Sequence, residues 1–330
     1  MNVILSKPTT FRTRRQLPDG FKLITEEARL STEFGEKYPE SVSELFVQLY
    51  LAVKLFKERS KANVIICGRY GYLFSFLQGL IPFRKRPLML MDIEWYNSYA
   101  NSLRNNFSKW TKRVVANGAS KIQVFCEVEA ENYASDFGID INKFVWIPYC
   151  TDLDERSYEI KDGDYLFTGG IQHRDYQTLY NAVKDLPIEV LIAAPEGKIP
   201  LKYVSDNMKI LGFIPRIKYM ETIASSKAVV LSLEPGIRRC PGVITYVTAM
   251  RMGKCVIVNE PEGAKSYIKN NHTGIVVEPN NAEVLKHSLQ AILCNDTKRK
   301  EIGHNAYEFS AKNLSYERYI NDIVNLTLSQ

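Results

Sequence analysis

Metal-binding and disulfide signals are scarce in this sequence of 330 residues. It has only four histidines, scattered along the chain without the spacing of metal ligands. Its six cysteines include no C-x-x-C pair, and most lie in or beside apolar strands, which indicates buried free thiols in a reducing compartment. No apolar run reaches the ~20 residues that a membrane-spanning helix needs. These absences predict a cytoplasmic protein and give no support to a resident metal ion.

The sequence also lacks internal repeats and low-complexity segments. No basic-aromatic RNA motif or recognition helix stands out, so nucleic-acid binding is not expected. What is present is the composition of a folded protein, with 45% hydrophobic and 24% charged residues. The chain is long enough for two α/β domains with complete cores.

The net charge of +6 is uneven, because three basic clusters fall in the first third of the chain. Such clusters favour contact with an anionic surface, which can be a membrane, a nucleic acid or an acidic acceptor. Any one cluster, taken alone, is more simply explained as a solvated face. The clusters are Arg12, Arg14 and Arg15; Arg84, Lys85 and Arg86; and Lys109, Lys112 and Arg113.

The clearest local signal lies in residues 227–258. The apolar run at 228–233 predicts a buried parallel strand, and residues 243–252 follow at helical spacing after a Pro-Gly break. Residues 255–258 read as a second buried strand. Together these segments predict a βαβ unit with a polar loop before the helix.

That loop suits an anionic group. The first N–H groups of the predicted helix, at Gly242, Val243 and Ile244, lack partners inside the helix, whose dipole is positive at this end. Arg238 and Arg239 lie just upstream and favour a phosphate. The alternative is that the two arginines are solvated surface charge.

A larger set of residues follows the pattern of a known family, and covers roughly residues 145–310. This set resembles the donor-binding half of GT-B glycosyltransferases, in the broad group that includes family 4. The first half of the chain resembles the family only in its alternation of predicted strands and helices. The matching positions are Gly242, Ala249-Met250, Gly253-Lys254, Val256–Val258, Gly263 and Thr273–Val277.

The resemblance implies an α/β fold of two Rossmann-like domains with parallel sheets that face each other across a cleft. Residues 1–152 would bind the acceptor, and residues 153–314 would bind a nucleotide-sugar donor. Residues 315–330 would form a closing helix that crosses back to the first domain. The nucleotide sugar is a substrate in this family, and no cofactor is implied.

The donor half contains further positions that the resemblance assigns to the donor. Gly169 and Gly170 end a strand, and Arg174 stands four residues before Thr178, where relatives place a lysine on the donor diphosphate. The alternative for Arg174 is a salt bridge with Asp175 or Asp185. Where many relatives carry an arginine after the strand, this chain has Gly169. The remaining assigned positions are Arg216, near the nucleotide base, and Val243, Ile244 and Thr245 at the helix start.

The acidic signature of retaining relatives is absent. Those enzymes carry two glutamates around this loop and helix, and the register places Arg239 near the first and Thr248 at the second. Glu234 is the candidate to replace the first glutamate, but its spacing differs. The degenerate motif slightly favours an inverting reaction over a retaining one. Neither reaction needs a metal ion, because arginines and a helix N-terminus supply positive charge.

Three carboxylates in the first half are candidates for the general base of an inverting reaction. Asp92 and Glu94 follow the apolar strand at 87–91, and Glu127 follows another at 122–125. Ligands of open α/β sheets bind at the carboxyl ends of strands, where a carboxylate can deprotonate an acceptor hydroxyl. The alternatives are that Asp92 caps a turn and that Glu127 is an acid of a helix N-terminus.

The segment 70–86 is apolar and then basic. Its end, Phe83, Arg84, Lys85 and Arg86, fits contact with an anionic membrane surface. A core-facing helix followed by a basic loop is equally consistent with the pattern.

The sequence therefore predicts a glycosyltransferase that moves a sugar from a UDP- or GDP-sugar to a saccharide or lipid-linked acceptor. The expected setting is surface polysaccharide or glycolipid assembly, in the cytoplasm or on the inner face of the plasma membrane. The alternative is a non-catalytic GT-B scaffold or a nucleotide-sugar-binding partner of another transferase.

Overall fold

Two compact units make up the chain in the computed structural model, one of Met1–Ile147 with Asp322–Gln330 and one of Pro148–Asn321. Each unit has a six-stranded sheet in which the described strands all run parallel. The predicted α/β class with two parallel sheets is thereby confirmed. The structure describes residues 3–6, 21–25, 40–83, 85–95, 102–151, 153, 158–195, 197–259 and 262–328.

The sheet of the first unit has the strand order β2-β1-β3-β4-β5-β6. The basic cluster at residues 12–15 and Arg84 lie outside the described residues. The strands are β1 (Val3–Ser6), β2 (Phe21–Thr25), β3 (Val64–Cys67), β4 (Leu88–Leu90), β5 (Lys121–Val124) and β6 (Phe144–Trp146). The helices are α1 (Glu40–Glu58), α2 (Tyr72–Leu80), α3 (Ser102–Gly118) and α4 (Glu127–Phe137).

Helices α2 and α3 cross at unusually short range. A Cβ atom added to Gly79 would lie 1.9 Å from the Val114 carbonyl oxygen, and one added to Gly118 would lie 1.9 Å from the Ser75 carbonyl oxygen. Only glycine allows the two backbones to approach this closely. The buried Gln78 amide donates to the Gly118 carbonyl at 2.7 Å and fixes the crossing. The two helices therefore form one rigid surface element.

Helix α1 buries a different face from the one that its largest apolar residues suggest. Leu45, Phe46, Leu49 and Val53 are exposed, whereas the core side carries the residues Val47, Leu51, Ala52 and Leu55. Both faces are apolar, so periodicity alone could not select the core side.

The sheet of the second unit has the order β12-β11-β10-β7-β8-β9. Because β7 lies between β10 and β8, the strand order reverses between β7 and β10. The strands are β7 (Tyr165–Gly169), β8 (Glu189–Ala193), β9 (Met208–Ile210), β10 (Ala228–Leu231), β11 (Val256–Asn259) and β12 (Ile275–Val277). The helices are α5 (Tyr176–Val183), α6 (Arg216–Ala224), α7 (Val243–Arg251), α8 (Ala282–Leu293), α9 (Asp296–Asn313) and α10 (Tyr316–Leu328), the last of which ends in the first unit.

Two buried cationic side chains connect the segments that precede strands of this second sheet. Arg299 of α9 forms a two-pronged ion pair with Asp162, with N–O distances of 2.7 and 2.9 Å, which lowers the pKa of that carboxyl. Lys254 donates its ammonium group to the carbonyls of Lys161 and Ser226. Burial lowers the pKa of Lys254 to about 8. These contacts lie at the amino ends of β7, β10 and β11.

Within the described ranges, we find no helix whose length and apolar character would let it cross a bilayer.

Candidate functional site

The candidate site lies where the strand order of the second sheet reverses. Strands β7 and β10 are neighbours there, and they end at Gly169 and Leu231. Ligands of open parallel sheets bind at the carboxyl ends of strands flanking such a reversal. Helix α7 begins nearby at Val243, after the loop that follows β10.

Two loop segments are paired above these strand ends. The Asp175 N–H donates to the Ser232 carbonyl at 3.0 Å, and the Glu234 N–H donates to the His173 carbonyl at 3.1 Å. The side chains of His173 and Glu234 also meet, with Nδ1 and Oε2 3.0 Å apart. Arg174 and Leu233 are the central pair of this antiparallel bridge. The loops after β7 and β10 are therefore held together as one unit.

The Arg174 guanidinium is anchored by backbone carbonyls. Its Nε and Nη2 donate to the Gly169 carbonyl at 3.1 and 2.7 Å, and its Nη1 donates to the Gln172 carbonyl at 2.7 Å. Burial lowers the pKa of Arg174 from its ordinary value, although an arginine stays charged in proteins. The alternative, a salt bridge with Asp175 or Asp185, is not what the structure shows, since Asp175 caps α5 and Asp185 pairs with Lys286.

The same guanidinium lies beside the start of α7. A Cβ atom added to Gly242 would be 3.4 Å from Arg174 Nη2, and Gly242 adopts the left-handed φ of 81°. No side chain caps this helix start, because Gly242 has none to offer. The N–H of Val243 is donated to the Cys240 carbonyl at 3.2 Å, so one of the three predicted N–H groups is used within the turn. The positive end of the helix and the Arg174 guanidinium would therefore attract an anion at the same position.

Tyr219 of α6 completes this region and was missed by the sequence analysis. Its hydroxyl is 2.7 Å from Thr245 Oγ1, and burial raises its pKa. Its ring packs edge-on against Phe167, with centroids 5.1 Å apart. A Cβ atom added to Gly169 would lie 2.5 Å from the Tyr219 hydroxyl oxygen. The position where many relatives carry an arginine is thus closed by a tyrosine.

Asn259, the last residue of β11, is a second residue that sequence reasoning missed. Its side chain is fully buried, accepts the Leu233 N–H and donates to the Leu233 carbonyl at 2.9 Å. A side-chain amide therefore pairs with the backbone of the loop as a strand would. A polar residue at the end of an apolar strand was the only available signal.

The other residues that were predicted to bind the sugar donor differ in their burial, and their roles stay predictions. Thr248 is fully buried and its hydroxyl has no hydrogen-bond partner among the described residues. Arg238 is exposed with its Nε 3.6 Å from Glu262 Oε2, and Arg239 is half-buried. Arg216, the first residue of α6, is exposed. Glu234 is exposed within the paired loops, and Ile244 is exposed on α7.

The candidate bases lie in the first unit, at the carboxyl ends of two neighbouring strands. Asp92 and Glu94 follow β4, and Glu127 is the first residue of α4 after β5. Asp92 is half-buried, its φ is 55°, and its N–H donates to Gln123 Oε1 at 3.4 Å. Glu94 and Glu127 are exposed. The buried Glu129, rather than Glu127, accepts the Phe125 N–H at 2.8 Å and closes the start of α4.

A family model described as "Glycosyl transferases group 1" matches residues 199–309, which contain α7 and the loop before it. This match and the fold confirm the predicted resemblance: residues 199–309 are similar to group 1 glycosyltransferases, and the chain shares the fold of GT-B glycosyltransferase structures. The proteins most similar in sequence include two uncharacterized glycosyltransferases of Methanocaldococcus jannaschii. One is 25% identical over 48% of this chain, and the other is 20% identical over 76% of it. The matches span 47% and 70% of those two relatives.

Solved structures share the fold at low sequence identity. HepE from Anabaena, in complex with UDP and glucose, has a TM-score of 0.66 at 15% identity, with all of both chains covered. A glycosyltransferase from Rickettsia africae has a TM-score of 0.65 at 16% identity, covering 99% of this chain and 97% of that one. Sucrose-phosphate synthase from Thermosynechococcus elongatus has a TM-score of 0.66 at 14% identity and 99% and 88% coverage.

Proposed function

We propose that this protein transfers a sugar from a UDP- or GDP-sugar to a hydroxyl of a saccharide or lipid-linked acceptor. The observation that carries the proposal is the Arg174 guanidinium beside the uncapped start of α7, at the reversal of the strand order. A diphosphate is the part of a nucleotide sugar that such a place attracts.

The hydrogen bonds that Arg174 makes within the protein leave two of its N–H donors for that diphosphate. A guanidinium has five N–H donors, and three of them go to the carbonyls of Gly169 and Gln172. One N–H group remains on each terminal nitrogen for a ligand. Two neighbouring N–H groups match two phosphate oxygens, so the anchored arginine remains a bidentate phosphate ligand.

The chemistry then needs only one proton acceptor. In an inverting reaction a carboxylate takes the acceptor hydroxyl proton while that oxygen bonds to the anomeric carbon and the nucleoside diphosphate leaves with its bonding pair. We place Asp92 first among the candidate bases, ahead of Glu94 and Glu127, because it is half-buried at a strand end with a strained backbone. Arg174 and the helix start stabilise the departing charge without a metal ion.

The donor base and the setting belong to the same proposal. The HepE structures with UDP and with UDP-glucose support a uridine donor by analogy of fold. We propose a cytoplasmic role in surface polysaccharide or glycolipid assembly. Contact with the membrane through Phe83, Arg84, Lys85 and Arg86 forms part of this proposal.

Calorimetric titration with UDP and GDP, followed by a transfer and hydrolysis assay over common nucleotide sugars, tests the proposal. Arg174→Ala should abolish turnover and weaken nucleotide binding while the protein stays folded. Arg174→Lys is the matched control, because it keeps the charge and should retain part of the binding. A wild-type protein that binds neither nucleotide and hydrolyses no donor would refute the assignment.

One observation favours a non-catalytic alternative. The two positions of the acidic motif hold Arg239 and the fully buried Thr248, and neither supplies a carboxylate to the donor. A scaffold or a nucleotide-sugar-binding partner would retain the fold without turnover. UDP binding without hydrolysis or transfer, unchanged by Asp92→Asn, would support this alternative.

A further inference from the structure

Helix α3 presents an apolar stripe on its outer side. Leu103, Phe107 and Trp110 are 77%, 65% and 46% exposed, and at 100° per residue they fall within one narrow sector of the helix. The opposite side of α3 carries the buried Lys112, Val115 and Ala116. Core packing therefore does not explain the stripe.

The stripe continues onto α2. Trp110 packs edge-on against Phe76, with ring centroids 5.8 Å apart, and lies 5.7 Å from Phe107. The close crossing of the two helices holds both sets of side chains on one rigid support. We call this set the α2–α3 apolar surface; its exposed members are Leu77, Leu80, Phe83, Leu103, Phe107 and Trp110.

Positive charge borders the surface. At 100° per residue, Arg104 lies on one flank of the α3 stripe and Arg113 on the other, with Lys109 further round the helix on the side of Arg113. Lys85, beside Phe83, is exposed. The sequence contains no Asp or Glu in residues 72–91 or 95–126, whereas those stretches contain eight Lys or Arg residues. Helices α2 and α3 and the segment 81–91 therefore carry side-chain charges of only one sign.

From this arrangement we infer that the α2–α3 apolar surface docks on a bilayer that contains anionic lipid. Apolar and aromatic side chains flanked by lysine and arginine match the acyl boundary and the headgroups of such a bilayer. A symmetric pair of copies would bring the cationic borders together, which opposes dimer formation. Nucleic acid would leave Leu103 and Leu80 without an apolar environment. The inference rests on the membrane contact in the proposed function and moves its centre to α3.

Vesicle co-sedimentation tests the inference with phosphatidylcholine vesicles, with and without phosphatidylglycerol. The wild-type protein should bind the anionic vesicles, and raised salt should weaken the binding because it screens the charges. Leu103→Ser with Phe107→Ser should reduce the partition coefficient at least about tenfold, since two apolar side chains no longer enter the bilayer. Leu201→Ser, at an 85% exposed leucine of the second unit, is the matched control and should bind as the wild type does.

Tryptophan fluorescence gives an independent readout. Trp95 is buried and Trp146 is half-buried, so Trp110 should account for a blue shift and for protection from a soluble quencher when anionic vesicles are added. Trp110→Phe should remove that shift. Arg104→Gln with Lys109→Gln should weaken binding to anionic vesicles only.

Three outcomes would overturn the inference: no binding of the wild type to anionic vesicles, equal binding by the Leu103→Ser, Phe107→Ser variant, or a stable dimer that this variant dissociates. Unchanged circular dichroism and thermal unfolding confirm that the variants are folded. UDP titration without vesicles separates this result from the proposed sugar transfer, because the serine variant should bind the nucleotide normally.

Discussion

Replacing Asn259 tests whether the loop after β10 is held in place by side-chain hydrogen bonds. The residue is fully buried and satisfies both the N–H and the carbonyl of Leu233. Asn259→Leu has a similar volume but leaves these two backbone groups without their partner. Each unsatisfied buried group costs about 1–3 kcal/mol, so we expect a loss of about 2–6 kcal/mol in the free energy of unfolding.

The effect should also reach the donor site. Leu233 pairs with Arg174 in the bridge between the loops, so a displaced Leu233 should release the arginine from its position near Gly242. We expect UDP to bind at least about tenfold more weakly, which corresponds to about 1.4 kcal/mol. Urea unfolding measures the stability, and calorimetry under native conditions measures the binding.

A matched control separates positioning from general loss of stability. Asn207 also uses its side-chain amide as a clamp, and donates to the carbonyls of Val183, Leu186 and Ile188, none of which belongs to the candidate site. Asn207→Leu should destabilise the protein but bind UDP within about twofold of the wild type, a difference well under the 1.4 kcal/mol of a tenfold change. The reasoning fails if Asn259→Leu is destabilised to the same degree and still binds UDP normally.

Three further predictions concern single groups. Gly170→Ala should reduce both stability and UDP binding, because φ is 113° and the new Cβ atom would lie 2.1 Å from Arg174 Nη2; thermal unfolding and calorimetry measure the two effects. Tyr219→Phe should cost about 0.5–1.5 kcal/mol in urea unfolding through the lost Thr245 contact, and unchanged stability would contradict that contact. Burial lowers the pKa of Lys254 to about 8, so above that pH the unfolded chain binds more protons and stability should rise. Burial raises the pKa of Cys255 from 9.0 to about 12, which opposes the rise above pH 9. Urea titrations at pH 8, 9 and 10 should therefore show a rise that flattens, and the rise should shrink in Lys254→Met.

The βαβ unit around α7 was predictable because its signals are local. The apolar runs became β10 and β11, and the helical spacing became α7, with bounds within a few residues of those expected. Arg174 was singled out by the resemblance, because it stands four residues before Thr178, where relatives place a lysine. Each prediction used only residues close together in the chain.

The contacts that complete the site join distant parts of the sequence. Asn259 reaches a loop 26 residues away, and Tyr219 meets Thr245 across the same separation. Neither pairing follows from periodicity, because it depends on which strands become neighbours. The burial of Thr248 and the exposed face of α1 have the same origin, since tertiary packing decides between two apolar faces of a helix.

Two of the departures from the family pattern in the donor half, at Gly169 and Arg174, are physically coupled. Gly169 removes an arginine, and the Tyr219 ring fills the place where its side chain would begin. Arg174 then has two tasks, because it ties down the carbonyls of Gly169 and Gln172 and keeps one N–H on each terminal nitrogen for a ligand. A lysine, with one nitrogen, cannot hold both carbonyls and also offer two fixed donors. The arginine at position 174 is therefore the replacement that fits a site whose neighbouring position is glycine, and Arg174→Lys should weaken loop order as well as phosphate binding.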